Sequence, residues 1–460
     1  MLRFATFRKA ELVYGPSMDN ITAQAMIRFG LGARPDQTAP ADARGWLHSQ
    51  LQGADPGLSS GRFDDLPTGA DALTAFRSDA MTRKQLQLAG TPLRGNFMPE
   101  TPKMYQADAK AQLLWAVDTP SPFRERLVWF WANHFSISVR QGGTLGLVGP
   151  FIREAIRPHV TGKFTDMVLA VESHPAMLRY LSNVGSVGPN SPAGLRMKRG
   201  LNENLGRECM ELHTVSLAAG YTQTDVTNMA KLLTGWSVDP NNQPTGFAFR
   251  PFAHEPGGQT VLGRRFGGGQ QGAIDALTYL STYPTTYQAL ARKLVRHFVA
   301  DDPPADAVRT IATALSTTQG DLGAAAAALL TLPEAWQPGQ KVKTPVEYVV
   351  SVLRAAPPQP GDEPPLLPVL NKLGQPLWAA PLPNGWSDKA ADWVGSDAVL
   401  SRIDWSYNYA ERVQAAQPID VASQTLGAHL RPQTASAIKS AGSPQEGLTL
   451  LFASPEFQRR

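Results

Sequence analysis

The stretch PFRERLVWFWANHFSIS, residues 122–138, does more than any other to decide the fold. Pro122 is typical of the first turn of a helix, where the N–H that proline lacks would have no partner. After Arg126 the segment is apolar on nearly every side, so a helix here must be buried over most of its surface. Thr222 and Asp225 have the spacing of a capping box at the start of a further helix. Helical periodicity dominates the rest of the chain, and we predict a mainly α-helical protein.

The helical pattern is interrupted in one region, FAFRPFAHEPGGQTVLGRRF, residues 247–266. Apolar and polar residues alternate there around an EPGG turn, which predicts a small β-hairpin near residues 246–266. The helices on both sides of this region are alike in composition. We therefore expect a large single helical domain, residues 91–460, with an N-terminal helical segment, residues 1–90, packed on it.

The composition is that of a compact globular protein. Of 460 residues, 42% are apolar and 18% are charged, and the formal net charge is only +4. The sequence contains no run of lysine and arginine of the kind that tracks phosphates, so we expect no nucleic-acid partner. The single cysteine, Cys209, excludes an intrachain disulfide bond.

The sequence also carries signals about membranes and location. No window approaches the roughly twenty apolar residues that a membrane-spanning helix needs, so no membrane span is expected. The first residues, MLRFATFRKAELVYGPS (1–17), contain basic side chains but no apolar stretch of signal-peptide length. Taken as written, the sequence predicts a cytoplasmic protein.

The most informative polar segment is LNENLGRECMELH, residues 201–213. On a helix, at about 100° per residue, its apolar side chains fall on one arc. Glu208 and Glu211 lie on a stripe beside that arc, and Glu208 lies almost within its apolar edge. A carboxylate in that position is partly desolvated unless a cation or a hydrogen-bond donor meets it. Arg207 is four residues from both Glu203 and Glu211 and can pair with either.

This cluster of carboxylates permits two interpretations. The first is a metal-binding or acid–base site, because Glu208, Glu211 and His213 are hard or borderline ligands that distant histidines can join. His213 lies about 140° from Glu208 on a regular helix, so it joins such a site only if the helix ends or bends there. The second is a buried network of Arg, Glu and Asn side chains that fixes helix packing. The spacing matches no known metal signature.

Other residues are candidates for the same site. His134 lies at the end of the Trp-rich helix, where a lone histidine is more often a hydrogen-bonded core residue than a ligand. His254, in AHEPG, lies at a predicted turn, where a side chain can be presented openly. Trp236, in LTGW, suits either the core or the wall of a pocket. His297 fits the last turn of a helix, where the helix dipole favours positive charge.

Several of these stretches together resemble a bacterial protein family, catalogued as domain of unknown function 1800. The resemblance rests on NENLGRECMELHTV and GYTQTDVTNMAKLLTGW, with further matches at WFWANHF, AHEPGGQTVLG, ARKLVRHFVADDPP, KTPVEYVVSVLRA and GQPLWAAPLPNGW. These stretches follow the family's order from about Ile21 to Trp405, which is nearly the whole chain. The resemblance implies a largely helical single unit and no established activity.

The resemblance also bears on location, partner and site. Because family members often carry an export signal of twin-arginine type, it implies a periplasmic protein as the alternative location. It implies a sulfatase-like partner, of the family domain of unknown function 1501, because the two families are commonly encoded side by side. The family often has phenylalanine at the position of His213, which argues against His213 as an obligatory ligand. The polar residues that match the family motif favour a site over a purely structural network.

Two functions of different classes follow. The first is an enzyme, a metal-assisted hydrolase, that uses acid–base chemistry or a divalent metal ion. Its predicted catalytic residues are Glu203, Arg207, Glu208 and Glu211, its predicted ligand-binding residues are Asn202, Asn204 and Trp236, and its predicted metal ligands are His134, His254 and Glu208. The second is a non-catalytic helical scaffold or accessory protein that holds the sulfatase-like partner, and in it Glu203, Arg207 and Glu211 are structural.

Overall fold

The structure is a computed structural model that describes residues 18–197, 200–239, 246–413 and 416–460. Helices dominate this part of the chain, and the mainly α-helical class predicted from the sequence is confirmed. Among the described helices, not one combines the length and the apolar character needed to cross a bilayer. The segment on which the predicted location depends, residues 1–17, lies outside the described residues.

The α-helices of the described chain are numbered in chain order. The first half contains α1 (Asn20–Gln24), α2 (Ala43–Ser49), α3 (Pro56–Ser59), α4 (Gly69–Leu88), α5 (Glu100–Asp118), α6 (Pro122–His134), α7 (Val148–Phe151), α8 (Phe164–Ser173), α9 (Pro175–Tyr180), α10 (Pro192–Met197) and α11 (Asn204–Glu208). The second half contains α12 (Gln223–Leu233), α13 (Gly269–Ser281), α14 (Pro284–Phe298), α15 (Ala305–Thr317), α16 (Leu322–Leu329), α17 (Pro345–Ala355), α18 (Leu366–Lys372), α19 (Ser396–Ala410), α20 (Pro418–Leu426), α21 (Pro432–Lys439) and α22 (Pro444–Ala453).

Shorter helical segments of other kinds join these helices. Turns of π-helix, which are wider than an α-helical turn, occupy Ala25–Phe29, Ile152–Ile156 and Cys209–His213. Turns of 3₁₀-helix occupy Arg157–His159, Asn183–Gly185, Leu217–Ala219, Pro251–Ala253, Pro333–Trp336, Ala390–Asp392 and Gly427–His429. The capping box predicted at Thr222 and Asp225 is present at the start of α12, with the threonine Oγ1 accepting from the Asp225 N–H at 3.2 Å.

Two small antiparallel sheets interrupt the helices. They pair β1 (Trp236–Asp239) with β2 (Gly246–Phe249), and β3 (Gln259–Val261) with β4 (Arg264–Phe266). The predicted hairpin region is therefore β structure, but its turn differs from the prediction. The β3–β4 turn is Leu262-Gly263, whose φ angles of 46° and 75° are those of the tight turn that suits a hairpin. β2 pairs with the strand that precedes it in the chain, β1, and not with β3. The EPGG sequence therefore connects the two sheets and is not the turn of a hairpin.

Most buried apolar side chains of the described chain fall into two clusters. The larger surrounds α6 and includes side chains of α8, α12, α14 and α15, with Trp131 almost fully buried inside it. The second joins α5 and α17 to helices α19–α22. Met26 and Leu31 belong to the second cluster, whereas Phe29 belongs to the larger one. The segment that follows α1 therefore packs between the two clusters.

Buried arginines tie the N-terminal segment to distant parts of the chain. The fully buried Arg28 donates from Nη1 to the carbonyl oxygens of Phe298 and Val299, each at 2.8 Å. Its Nη2 donates to the carbonyl of Gln337, also at 2.8 Å. The last carbonyls of a helix have no partner within it, and here a guanidinium group satisfies them at the end of α14. The boundary predicted near residue 90 falls between α4 and α5 and stays a prediction.

Candidate functional site

The motif segment forms α11 and continues into the π-helical turn Cys209–His213. Asn202 precedes the helix, and its Oδ1 accepts from the N–H of Asn204 at 3.0 Å. The Asn202 N–H in turn donates to Ser186 Oγ at 3.1 Å. Asn204 is exposed in the first turn. The contacts of these two predicted ligand-binding residues are those of a helix start.

Glu203 and Arg207 belong to a partly exposed network between α11 and α12. The Glu203 carboxylate accepts from Thr227 Oγ1 at 2.6 Å and from Gln223 Nε2 at 2.8 Å. Arg207 Nη2 reaches the same carboxylate at 3.2 Å. The hydrogen bond from Thr227 is the main reason that the pKa of Glu203 is lowered. An ionised glutamate with three donors is already well satisfied, and these contacts hold two helices together.

Glu208 and Glu211 form a half-buried row with Tyr221. Burial raises the pKa of Glu208, and the neighbouring charge of Glu211 raises it further. The Tyr221 hydroxyl donates to Glu211 Oε2 at 3.4 Å, and burial together with this carboxylate raises the pKa of Tyr221 to about 12. Glu208 is the predicted site residue that keeps acid–base character, and Tyr221, which was not predicted as a site residue, joins this row through Glu211.

The π-helical turn changes where His213 points. Its wider turn directs the imidazole inward, where Nδ1 lies 2.7 Å from Glu172 Oε1. Both side chains are buried, with at most 1% of either exposed. Cys209 lies in the same turn, and burial raises the pKa of its thiol well above the usual value. His213 is therefore paired with a carboxylate that the sequence analysis did not single out.

His134 contacts the main chain at the end of this π-helical turn. Its Nε2 lies 3.1 Å from the carbonyl oxygen of His213, and its Nδ1 lies 3.1 Å from Lys293 Nζ. Lys293 also donates to the carbonyl of Leu212 at 2.9 Å. Burial, with Lys293 close by, holds the pKa of His134 well below its usual value, so the ring is neutral. A neutral ring that accepts from the ammonium on Nδ1 donates from Nε2, and neither nitrogen is left for a metal.

His254 is likewise occupied by the backbone. Its Nδ1 lies 2.8 Å from the carbonyl oxygen of Thr234, and its Nε2 accepts from the N–H of Gly269 at 2.8 Å. Trp236 is buried in β1 with its ring edge-on to Phe247. Over the described ranges, no three His, Cys, Asp or Glu side chains are grouped so that they would hold a metal ion. As arranged here, His134, His254 and Glu208 do not form the predicted ligand set.

A different place in the fold brings together four of the stretches that carry the family resemblance. A cavity of about 120 Å³ is lined by residues of WFWANHF, ARKLVRHFVADDPP, KTPVEYVVSVLRA and GQPLWAAPLPNGW. Three tryptophans, Trp129, Trp378 and Trp386, supply much of its wall.

His297 and Asp388 form a hydrogen-bonded pair on the wall of this cavity. His297 Nδ1 lies 2.6 Å from Asp388 Oδ1. Burial alone would raise the pKa of Asp388, but the hydrogen bond from His297 and the nearby cations Lys341 and Arg460 lower it, so the carboxylate is ionised and can only accept. Burial lowers the pKa of His297 as well, and its neutral ring therefore carries the proton on Nδ1 and a lone pair on Nε2.

The cavity also contains buried polar atoms without partners. His297 Nε2 and Gln112 Nε2 make no hydrogen bond within the described protein, although the residues are only 8% and 5% exposed. Leaving such a group unpaired costs about 1–3 kcal/mol, so native structures keep few of them. One atom is an acceptor and the other a donor, and both belong to residues that line the same cavity.

A second cavity lies on the other side of Leu113. It is larger, about 740 Å³, and is lined by α5, the end of α17 and the Pro-rich segment that follows. None of its described polar side chains is buried without a partner. The smaller cavity is therefore the better candidate for a site, because two of its lining residues carry buried polar atoms without a hydrogen-bond partner in the described protein.

Two members of this site, Gln112 and Asp388, were not predicted from the sequence, and a third, His297, was predicted only by its position. Gln112 and Asp388 carry no local signal, since α5 and the loop before residue 390 show only burial and turn patterns. His297 was interpreted as a helix-end residue, which is correct for its position but says nothing of its ring. The one available signal was its presence in a stretch that resembles the family.

Comparisons with known proteins agree with the resemblance. A family model described as protein of unknown function DUF1800 matches residues 24–459. No curated protein and no solved structure matches the chain. The sulfatase-like partner, the metal-assisted hydrolysis and the cellular location stay predictions.

Proposed function

We propose that this chain is an enzyme. It belongs to the DUF1800 family, whose function is unknown. Its chemistry takes place in the tryptophan-walled cavity, with His297 as general base and Asp388 as the group that orients it. The observation that carries this proposal is the unpartnered, buried Nε2 of His297, whose Nδ1 is held by a carboxylate at 2.6 Å.

The electronic state of His297 suits a base. Because Asp388 accepts a hydrogen bond from the Nδ1–H of His297, the proton stays on Nδ1 and the lone pair is on Nε2, the nitrogen that does not face the carboxylate. Burial lowers the pKa of the ring, so the neutral, proton-accepting form prevails at neutral pH. Positioned general bases accelerate reactions by about 10²–10⁴-fold, most effectively when their pKa lies near the working pH.

The cavity suits a small molecule with an apolar or aromatic body. The walls contributed by Trp129, Trp378 and Trp386 favour a flat, apolar group. Gln112 Nε2 offers a donor to an oxygen of the ligand, and His297 Nε2 accepts from a hydroxyl group or a water molecule. Glu347, which also lines the cavity, is already paired with the buried Arg126 and Arg460, so its carboxylate is not free to bind a cationic ligand.

Hydrolysis of an acyl compound is the reaction that fits these groups best, because besides the substrate it needs only a water molecule. His297 Nε2 takes a proton from water as the oxygen attacks an acyl carbon. Gln112 donates to the oxygen on which negative charge develops. The bond to the leaving oxygen then breaks, and that oxygen takes the proton back from Nε2, so the base is regenerated.

The test uses two small probes. Phenol combines an aromatic ring with one hydroxyl, and its binding is followed by quenching of tryptophan fluorescence. Hydrolysis of p-nitrophenyl acetate is followed by absorbance. We expect H297Q to lower the saturable rate by about 100-fold or more. The control H48Q removes an exposed histidine and should change nothing beyond background. Equal saturable rates in the wild type and H297Q would refute the proposal.

The row of Glu208, Glu211 and Tyr221 is the second candidate. It is favoured by one observation, the pKa of Glu208, which burial raises toward the range of a general acid. The same assay separates the candidates. Loss of hydrolysis in E208Q together with an unchanged rate in H297Q would assign the chemistry to the motif helix.

A further inference from the structure

We propose that Lys341 and Arg460 are positioning residues, which fix the main chain at His297 and at Asp388 so that the two side chains stay within hydrogen-bond distance. The proposal rests on the proposed function, because it explains how the base and its orienting carboxylate keep their geometry. Neither residue lines the cavity, and both are almost completely buried, at 0% and 1% exposed.

The two residues face each other across a short antiparallel bridge. The N–H of Lys341 donates to the carbonyl of Arg460 at 3.1 Å, and the N–H of Arg460 donates to the carbonyl of Lys341 at 2.8 Å. Residues that exchange both hydrogen bonds lie directly opposite one another, so their side chains leave the same face. Lysine and arginine are therefore directed to one region of the interior.

Each of these side chains holds the main chain of one member of the pair. Arg460 Nη1 donates to the carbonyl oxygen of His297 at 2.8 Å. That carbonyl is in the last turn of α14, where it has no partner within the helix. Lys341 Nζ donates to the carbonyl oxygen of Asp388, which lies in a loop without secondary structure of its own. One rigid bridge thus sets the distance between a helix end and a loop.

Asp301 provides a further contact between Lys341 and the loop that contains Asp388. Its Oδ1 pairs with Lys341 Nζ, and its Oδ2 accepts from the N–H of Ala390 at 2.7 Å. On the other side, Arg460 Nε pairs with Glu347 at 3.0 Å. Both cations also lower the pKa of Asp388, which keeps that carboxylate ionised. Displacement of a catalytic group by about 1 Å can lower the rate about 10²-fold. Contacts that fix the positions of His297 and Asp388 are therefore expected to affect the rate of the reaction.

The test observes the His297 ring directly, in protein labelled with ¹⁵N-histidine. The Nδ1–H signal of His297 is assigned by its loss in H297Q. We expect this signal to weaken or disappear in R460Q and in K341M, because proton occupancy spreads to Nε2. With p-nitrophenyl acetate, kcat should fall about 10- to 100-fold while KM changes little. K341R, which keeps a donor, should restore most of the signal.

The matched control is R354Q. Arg354 is an equally buried arginine that donates to the carbonyls of Gly32, Ala116 and Val117, far from the pair in its contacts. R354Q should lower stability and leave the His297 signal unchanged. If R460Q does not fold, the same Nδ1–H signal is measured in K341M and in the more conservative variant R460K.

The outcomes separate this proposal from the proposed function. A wild-type Nδ1–H signal in folded R460Q and K341M would overturn the positioning role. Absence of hydrolysis in the wild type, with the signal still lost in both variants, would overturn the proposed function and leave the positioning role intact.

Discussion

Replacing Glu347 with glutamine tests the largest buried ion network of the cavity wall. The carboxylate accepts from Arg126 Nη1, lies 3.0 Å from Arg460 Nε, and accepts from the Thr344 N–H at 2.8 Å. It is only 3% exposed, and both arginines are 1% exposed. E347Q keeps the shape of the side chain and the acceptor for Thr344. It removes the one carboxylate that, among the described residues, pairs with both guanidinium groups.

The expected cost follows from burial. Breaking a buried ion pair by removing one partner costs about 3–5 kcal/mol, because the remaining charge is uncompensated. Here two guanidinium groups are left, and the glutamine NH₂ adds a donor where an acceptor is needed. We expect E347Q to lower the free energy of unfolding by an amount at the upper end of that range.

The assay is urea unfolding followed by tryptophan fluorescence and circular dichroism. The control E100Q removes an exposed partner of Lys103, both about half exposed, and should cost no more than about 0.5 kcal/mol. The folded pKa of Glu347 is lowered, so its contribution is present above the unfolded value of 4.5 and is lost as pH falls below it. The difference between wild type and E347Q should therefore shrink below pH 4.5. A loss under about 1 kcal/mol at pH 7 would refute the reasoning.

Three further predictions concern stability. T222A removes the capping box of α12 and should lower the free energy of unfolding by about 1 kcal/mol. H254A leaves the carbonyl of Thr234 and the N–H of Gly269 without partners and should cost about 1–3 kcal/mol, with the same Zn²⁺ content as wild type by elemental analysis. Burial lowers the pKa of Lys293 to about 8, so between pH 8 and 10.5 the unfolded chain binds more protons than the folded one. The stability of wild type relative to K293M should thus rise over this range, by up to about 1.4 kcal/mol per pH unit.

Each of these predictions has a control and a contrary outcome. T224A, at an exposed position in the same first turn, should be close to neutral, and an equal loss there would exclude capping as the cause. H48A should not alter stability, and a drop in bound metal specific to H254A would revive the predicted ligand. A difference between wild type and K293M that stays flat from pH 8 to 10.5 would show that the lysine titrates normally.

Local features of the fold were predictable from the sequence. The start of α6 at Pro122 and the capping box at Thr222 depend on residues within one helical turn, and both were found as predicted. The alternation in residues 246–266 correctly indicated β structure. It could not indicate that β2 pairs with β1, because alternation shows which face is buried but not which strand lies beside it.

The candidate site was much less predictable, for geometric reasons. Projection of the motif onto a regular helix separated His213 from Glu208 but could not reveal the π-helical turn that aims His213 at Glu172. The partner of His297 lies 91 residues further along the chain, in a loop. Helical periodicity carries no information about such a contact, which only the tertiary packing of α6, α14 and α17 creates.

The guanidinium of Arg28 also constrains when the protein can fold. Its acceptors at Phe298 and Val299 follow about 270 residues later. At roughly 5–20 residues per second, a ribosome needs about 15–55 seconds to synthesise that interval. During this time the two carbonyl oxygens that Arg28 binds in the folded protein have not yet been synthesised. The hydrogen bonds that bury Arg28 therefore form only after more than half of the chain has been synthesised.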